Sequence, residues 1–180
     1  MFAITPRLSL RPGWPEDAPN LARAIGHEAV ATKLARVPWP YTEEDALAFL
    51  SLPRDAHEPV FVITERGGER RLVGGIGVHS KDDVHELGYW LTPDVWGRGY
   101  ATEAGRAVVA IARDALRLPR LTARWFVGNP ASGRVLAKLG FRQTGRTVRM
   151  HSLAQGREVD AVETVLDLGD VRSGPMRLAA

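Results

Sequence analysis

The spacing of apolar positions divides the chain into alternating short strands and helices. Leu8 and Leu10 predict a first strand, and Leu21, Ala24 and Ile25 behind Glu16 and Asp17 a short helix. Val37 to Tyr41 holds two prolines in three residues, which forbids regular structure and predicts a loop. Thr42 with Asp45 three residues on is an N-terminal capping pattern, and Ala46, Phe49 and Leu50 follow on one helical face. Pro59 to Thr64 and Leu72 to His79 read as strands around the turn from Glu65 to Arg70. Asp82 and Asp83 mark another turn before a strand from Val84 to Leu91. Thr102 to Leu116 carries Ala104, Val108, Ile111, Ala112 and Ala115 at helical spacing, and Pro119 breaks it. A strand from Leu121 to Val127 follows. Asn129 and Pro130 then open a helix, as cap and first residue, which Gly140 closes with Phe141 packing back. Phe141 to Met150 and Val159 to Leu168 predict a closing hairpin. The organisation is one α/β domain over residues 1–168, with 169–180 as a tail without periodicity.

The segment Trp96-Gly97-Arg98-Gly99-Tyr100-Ala101 joins a predicted strand to a predicted helix. Two glycines around one arginine let consecutive amides converge on an anion, and the helix adds the positive end of its dipole. A plain glycine turn is the competing reading. The turn lacks the third glycine of a dinucleotide fingerprint and the Gly-Lys-Ser/Thr of a P-loop.

Composition narrows the classes. With 44% hydrophobic and 25% charged residues, the chain has the composition of a folded domain. Its longest apolar run, Ala107 to Ala112, is far short of the about 20 residues a bilayer helix needs. Pro6, Arg7 and Arg11 interrupt what a signal peptide would keep apolar, so a cytoplasmic location is expected, without membrane association. The absence of cysteine excludes disulfides, thiolate metal sites and a cysteine nucleophile. The isoelectric point of 9.7 reflects arginine's high pKa more than a large excess charge. Net charge is +3, and only Lys33, Lys81 and Lys138 among the 24 basic residues are lysines. The charges are dispersed, so no nucleic-acid partner is expected. His27, His57, His79 and His151 lack metal-ligand spacing, and no metal is expected.

The string from Glu86 to Ala104, with the turn Trp96-x-x-Gly99-x-Ala101, resembles the GNAT N-acetyltransferase superfamily, close to its RimJ/RimL-like branch of ribosomal-protein N-terminal acetyltransferases. Thr5-Pro-Arg7-Leu8-Ser-Leu-Arg11, Pro40-Tyr41-Thr-Glu-Glu-Asp45-Ala and Asn129-Pro-Ala-Ser132 with Lys138-Leu-Gly-Phe141 extend the resemblance over residues 5–168. Trp96 departs from the Gln or Arg that usually opens the turn. The resemblance implies a twisted mixed sheet of about seven strands, with helices on both faces and splayed fourth and fifth strands. It implies acetyl-CoA as co-substrate, its pyrophosphate on the turn and its pantetheine arm in the splay. The expected cofactor-binding residues are Leu91, Trp96, Gly97, Arg98, Gly99, Tyr100, Ala101, Thr102, Asn129 and Ser132. The acceptor it implies is a primary amine, a protein N-terminal α-amine or a small molecule, acetylated directly without an acyl-enzyme. A homodimer through the C-terminal hairpin is an open expectation. The alternative is a non-catalytic acyl-CoA-binding or regulatory module.

Acetyl transfer to an amine needs a neutral amine, a donor to the oxyanion and stabilisation of the leaving thiolate. Glu86 is the candidate base, since the family often places a glutamate on this strand. His85 is its rival, because a bulge would exchange the strand faces, and a plain surface carboxylate is the third reading. The family's general-acid tyrosine on the fourth helix is replaced by Leu136, which leaves Ser132 as the candidate catalytic residue serving the thiolate. Ser132 also fits a helix-start residue bonding local backbone. Glu103, in the first turn of its helix, reads as a dipole partner. Trp39, Tyr41 and Trp90 are candidates for the acceptor wall and equally for ordinary packing.

Overall fold

The structure, a computed structural model, describes residues 1–53, 55, 58–67, 70–81 and 83–169. His57, the turn residues Gly68, Glu69 and Asp82, and the tail from Asp170 onward lie outside the described residues. The elements run β1 (Ala3–Ile4), β2 (Leu8–Arg11), α1 (Ala18–Ile25), α2 (Glu28–Ala31), α3 (Glu43–Leu50), β3 (Val60–Glu65), β4 (Leu72–Lys81) and β5 (Val84–Leu91). They continue with α4 (Tyr100–Ala110), β6 (Arg120–Phe126), α5 (Pro130–Lys138), β7 (Arg142–Ser152) and β8 (Arg157–Asp167). Among the described residues the strands join one eight-stranded sheet in the order β1-β2-β3-β4-β5-β6-β8-β7. The expected seven become eight with the two-residue β1, too short to show a period in sequence. The helix α2, four residues long, escaped notice for the same reason.

Alternation sends the apolar residues of β3 to two cores. Phe61 and Ile63 of β3 join Leu8, Leu10, Leu87, Leu121 and the α4 residues Ala104 and Val108 in the larger core. Val62 faces the other way, into a smaller core with Leu21 and Ala24 of α1 and Ala46 and Leu50 of α3. Helices therefore cover both faces of a mixed sheet. Thr42 caps α3 as its spacing demands: its hydroxyl accepts from the Asp45 amide at 3.2 Å, and the Asp45 carboxylate accepts from the Thr42 amide at 2.8 Å. Gly140, at φ +94°, ends α5; the Phe141 amide reaches back to the Leu136 carbonyl at 3.0 Å and the Phe141 ring enters the larger core.

Every neighbouring pair is antiparallel except β5 and β6, joined by the crossover through α4. Among the described residues these two pair only at Glu86↔Thr122. Both strands run on toward their C-terminal ends without pairing. A gap with unpaired backbone edges therefore opens between Gly88–Leu91 and Ala123–Phe126.

Candidate active site

The open end of the gap meets the loop that follows β5. Gly97 and Gly99 both stand at φ +78°, in the left-handed region that favours glycine, and α4 begins at Tyr100. That start is two residues earlier than its apolar spacing indicates, because Tyr100 and Ala101 are buried by this turn. Among the described residues, the amides of Gly97, Gly99, Tyr100, Ala101 and Thr102 have no acceptor in the protein. Those of Gly99 to Thr102 are the free N–H groups of a helix start, carrying the positive end of the dipole, and Gly97 adds one from the turn before it. Arg98 is about half exposed beside them, its guanidinium 3.8 Å from the Glu65 carboxylate. Trp96 does not leave its indole idle: Nε1 donates to the Leu91 carbonyl at 2.8 Å, and the Lys33 ammonium lies 4.1 Å from the ring centroid. It thereby ties the loop to the end of β5 and engages one lone pair of the Leu91 carbonyl.

The geometry of this loop depends on a residue that spacing gave no reason to select. Arg7, just before β2, donates from Nε to Glu103 at 2.7 Å and from Nη1 to the Arg98 carbonyl at 2.9 Å. The Thr5 hydroxyl and the Arg7 amide also donate to Glu103, at 2.7 and 2.9 Å. Burial opposes ionisation of Glu103, but these hydrogen bonds outweigh it and hold the carboxyl below its ordinary range. Glu103 is thus an anchor of α4 as well as a first-turn carboxylate.

The first turn of α5 links the two sides of the gap. From β5, Tyr89 places its hydroxyl 2.8 Å from Ser132 Oγ and 3.1 Å from the Ser132 carbonyl. From β6, the Trp125 indole packs on Gly133, where a Cβ would come within 2.9 Å of the ring. Trp125 Nε1 is buried without an acceptor among the described residues. Burial pushes the Tyr89 hydroxyl up to about 12, against the lowering effect of its bond to Ser132. Asn129 occupies the N-cap position of α5, but its side chain makes no cap hydrogen bond; the Ser132 amide bonds the Asn129 backbone carbonyl instead, at 3.0 Å. The expected side-chain cap is corrected accordingly: at φ −123° and ψ 63° the backbone departs from the extended conformation usual at that position. Leu136 is fully buried in the larger core.

Glu86 lies on the opposite face of the sheet from Tyr89, at the closed end of the gap. Both its carboxylate oxygens accept from Arg124 of β6: Nε donates to Oε1 at 3.1 Å and Nη2 to Oε2. Trp90 shares that face and packs with Tyr41 against the smaller core, its indole over Gly75 of β4. Burial, then the nearby Asp45 charge, pushes the Tyr41 hydroxyl up to about 12. Trp39 stands apart, exposed and in neither core. His85 falls on the Tyr89 face, with Nδ1 2.7 Å from the Ser80 hydroxyl. The structure thus groups Glu86, Trp90 and Tyr41 on one side, and Tyr89 and Ser132 on the other. Tyr89 and Arg124 were missed in sequence, because both pairings cross between elements far apart in the chain.

A family model described as an acetyltransferase (GNAT) domain matches residues 7–142. The chain is 36% identical over 99 residues to the uncharacterized N-acetyltransferase YoaA of Bacillus subtilis (strain 168), which covers 53% of this chain and 55% of YoaA. That match thus spans about half the length of the relative. A crystal structure of a GNAT-family acetyltransferase from Bacillus anthracis superposes with a TM-score of 0.80 at 25% identity, over 93% of this chain and 99% of that one. The ribosomal L7/L12 α-N-protein acetyltransferase RimL, in complex with coenzyme A, shares the fold at TM-score 0.77 and 17% identity, over 93% and 98% of the chains. Free amides at the start of α4, a gap between the parallel strands β5 and β6, and a family match spanning both all agree: this chain belongs to the GNAT acetyltransferase domain family.

Proposed function

We propose that the protein is an acetyl-CoA-dependent N-acetyltransferase that acetylates a primary amine by direct transfer. The observation that carries this reading is the cluster of amides of Gly97, Gly99, Tyr100, Ala101 and Thr102, free among the described residues, at the open end of the β5–β6 gap. Residues of the chain fit the coenzyme on two counts. The amides suit a pyrophosphate, and the buried, acceptor-free Trp125 N–H suits a carbonyl on an arm laid along the unpaired strand edges. When bound, acetyl-CoA supplies an activated acyl thioester. In this reading Arg98 adds charge to the pyrophosphate site. The backbone of Gly88–Leu91 and the Asn129 side chain are polar partners for the arm.

Glu86 is the proposed proton acceptor for the amine. Its oxygens each keep a second lone pair beyond the Arg124 bonds, and it shares a face with Trp90 and Tyr41, the proposed acceptor wall. His85, turned to the other face, is less suited. RimL is an α-N-acetyltransferase of ribosomal protein L7/L12; a protein α-amine or a small-molecule amine is the proposed acceptor class here.

The test is calorimetric titration with acetyl-CoA, followed by a thiol-release screen against peptides and small amines. Wild type is expected to bind and to release thiol with at least one amine. Arg98→Glu, which alters an exposed side chain, is expected to bind about tenfold more weakly. Absence of binding to wild type overturns the reading.

A further inference from the structure

We propose that Tyr89 is the positioning residue that sets Ser132 to donate its hydroxyl proton in a hydrogen bond to the thiolate released from the coenzyme. The inference rests on the acetyl-CoA reading above and adds a residue to it.

The Tyr89 hydroxyl carries one proton and has two acceptors within reach, Ser132 Oγ at 2.8 Å and the Ser132 carbonyl at 3.1 Å. When the proton goes to Oγ, the serine's own proton is free to be given elsewhere. When it goes to the carbonyl, the serine must donate to the tyrosine oxygen and has nothing to offer. Either hydroxyl can be the donor of the shorter contact, the one to Oγ, and a thiolate beside Oγ, which only accepts, selects the state in which Tyr89 donates to Oγ and Ser132 donates to sulfur. Leu136 leaves α5 without a phenol of its own, and Tyr89 brings one to the same helix from β5. The Trp125 ring on Gly133 braces the same turn from β6, so Ser132 is held from both sides of the gap.

Proton affinities decide between donating a hydrogen bond and handing over a proton. In the transfer a C–N bond forms and the C–S bond breaks. The sulfur keeps the bonding pair, and the amine's proton leaves by Glu86 or water. A thiol of pKa about 8.5 is a stronger acid than either hydroxyl. Tyr89, pushed up to about 12 by burial, does not surrender its proton to such a thiolate. Sulfur therefore departs as thiolate. Its stabilisation comes from the Ser132 hydroxyl and the positive end of α5, and solvent protonates it later. Nearby charges do not substitute for this. Glu86 and Arg124 satisfy each other on the far face, and Arg134 of α5 points its exposed residue to solvent.

The experiment titrates the thiol of bound coenzyme A by the ultraviolet absorbance of its thiolate, and needs no acceptor amine. In wild type the bound thiol is expected to titrate about one unit below the free thiol. Ser132→Ala is expected to abolish the shift and Tyr89→Phe to remove most of it. Tyr89→Phe added to Ser132→Ala is expected to change nothing more. Melting temperature and coenzyme affinity, measured alongside, report any general damage. Should Tyr89→Phe fail to fold, a fluorotyrosine placed at position 89 keeps the ring and strengthens the donor, and the bound thiol is then expected to titrate lower still. An unshifted thiol in wild type, an unchanged shift in Tyr89→Phe, or additive losses in the double variant overturn the proposal. Failure of wild type to bind coenzyme A overturns the acetyl-CoA reading itself.

Discussion

Glu86 was identified from its place before the turn, yet its partner came from β6, Arg124, which no spacing rule connects to it. The two meet because β5 and β6 still pair at Glu86↔Thr122. If Glu86 accepts the amine's proton, Glu86→Gln lowers kcat about a hundredfold while leaving acetyl-CoA affinity within twofold; steady-state kinetics and titration calorimetry check this. Gly75 is a second case. Its sequence context gives no reason for glycine, but a Cβ there would stand 2.6 Å from Trp90 Nε1. Gly75→Ala is expected to displace the indole and cost about 1–3 kcal/mol of stability in denaturant unfolding. Asn129 shows the opposite: the right residue type at a helix start, with a backbone conformation that denies it the cap.

At the scale of elements, α4 is fixed by its contact with the turn before β2. Glu103 receives bonds from Thr5 and from both backbone and side chain of Arg7, and Arg7 also takes up the Arg98 carbonyl. The Thr5-Pro-Arg7 segment thus holds the glycine turn before α4 from outside. Glu103→Gln is expected to cost about 1 kcal/mol, a modest figure because Arg7 is half exposed. The pH dependence has a definite sign. A carboxyl held below its ordinary range contributes stability above its unfolded pKa of about 4.3 and loses it as pH falls through the folded value. Melting curves from neutral to acid pH should therefore fall more steeply for wild type than for Glu103→Gln. α3 starts and α5 ends where their sequences indicate: the Thr42–Asp45 box and Gly140 are local signals, satisfied within three to five residues.

Across the whole molecule, β1–β5 and β6–β8 share one backbone pairing position among the described residues, and are otherwise joined by the larger core, by α5, by the Glu86–Arg124 pair and by bonds from the β7–β8 turn to Thr32, Leu34 and Ala35. A ligand laid in the gap would join the two halves. Acetyl-CoA at about a hundred times its Kd is expected to add about 2.7 kcal/mol, which for a chain of this size raises Tm by roughly 5–10 °C. Hydrogen exchange should slow at Gly88–Leu91 and Ala123–Phe126, the edges left unpaired; thermal melting and exchange measurements check both. The sequence by itself determined the order of the main strands and helices, the Thr42 and Gly140 caps, and the glycine turn before α4. Each depends on residues within a few positions of one another, where spacing and local hydrogen bonds decide. Only the tertiary structure decided that Arg7 clamps the turn, that Arg124 occupies Glu86, and that Tyr89 rather than a residue of α5 meets Ser132. The register of the parallel pair brings Arg124 to Glu86, the packing of α5 across the gap brings Ser132 to Tyr89, and the packing of α4 beside the turn before β2 brings Glu103 to Arg7; each contact is a property of two segments together, written in neither alone.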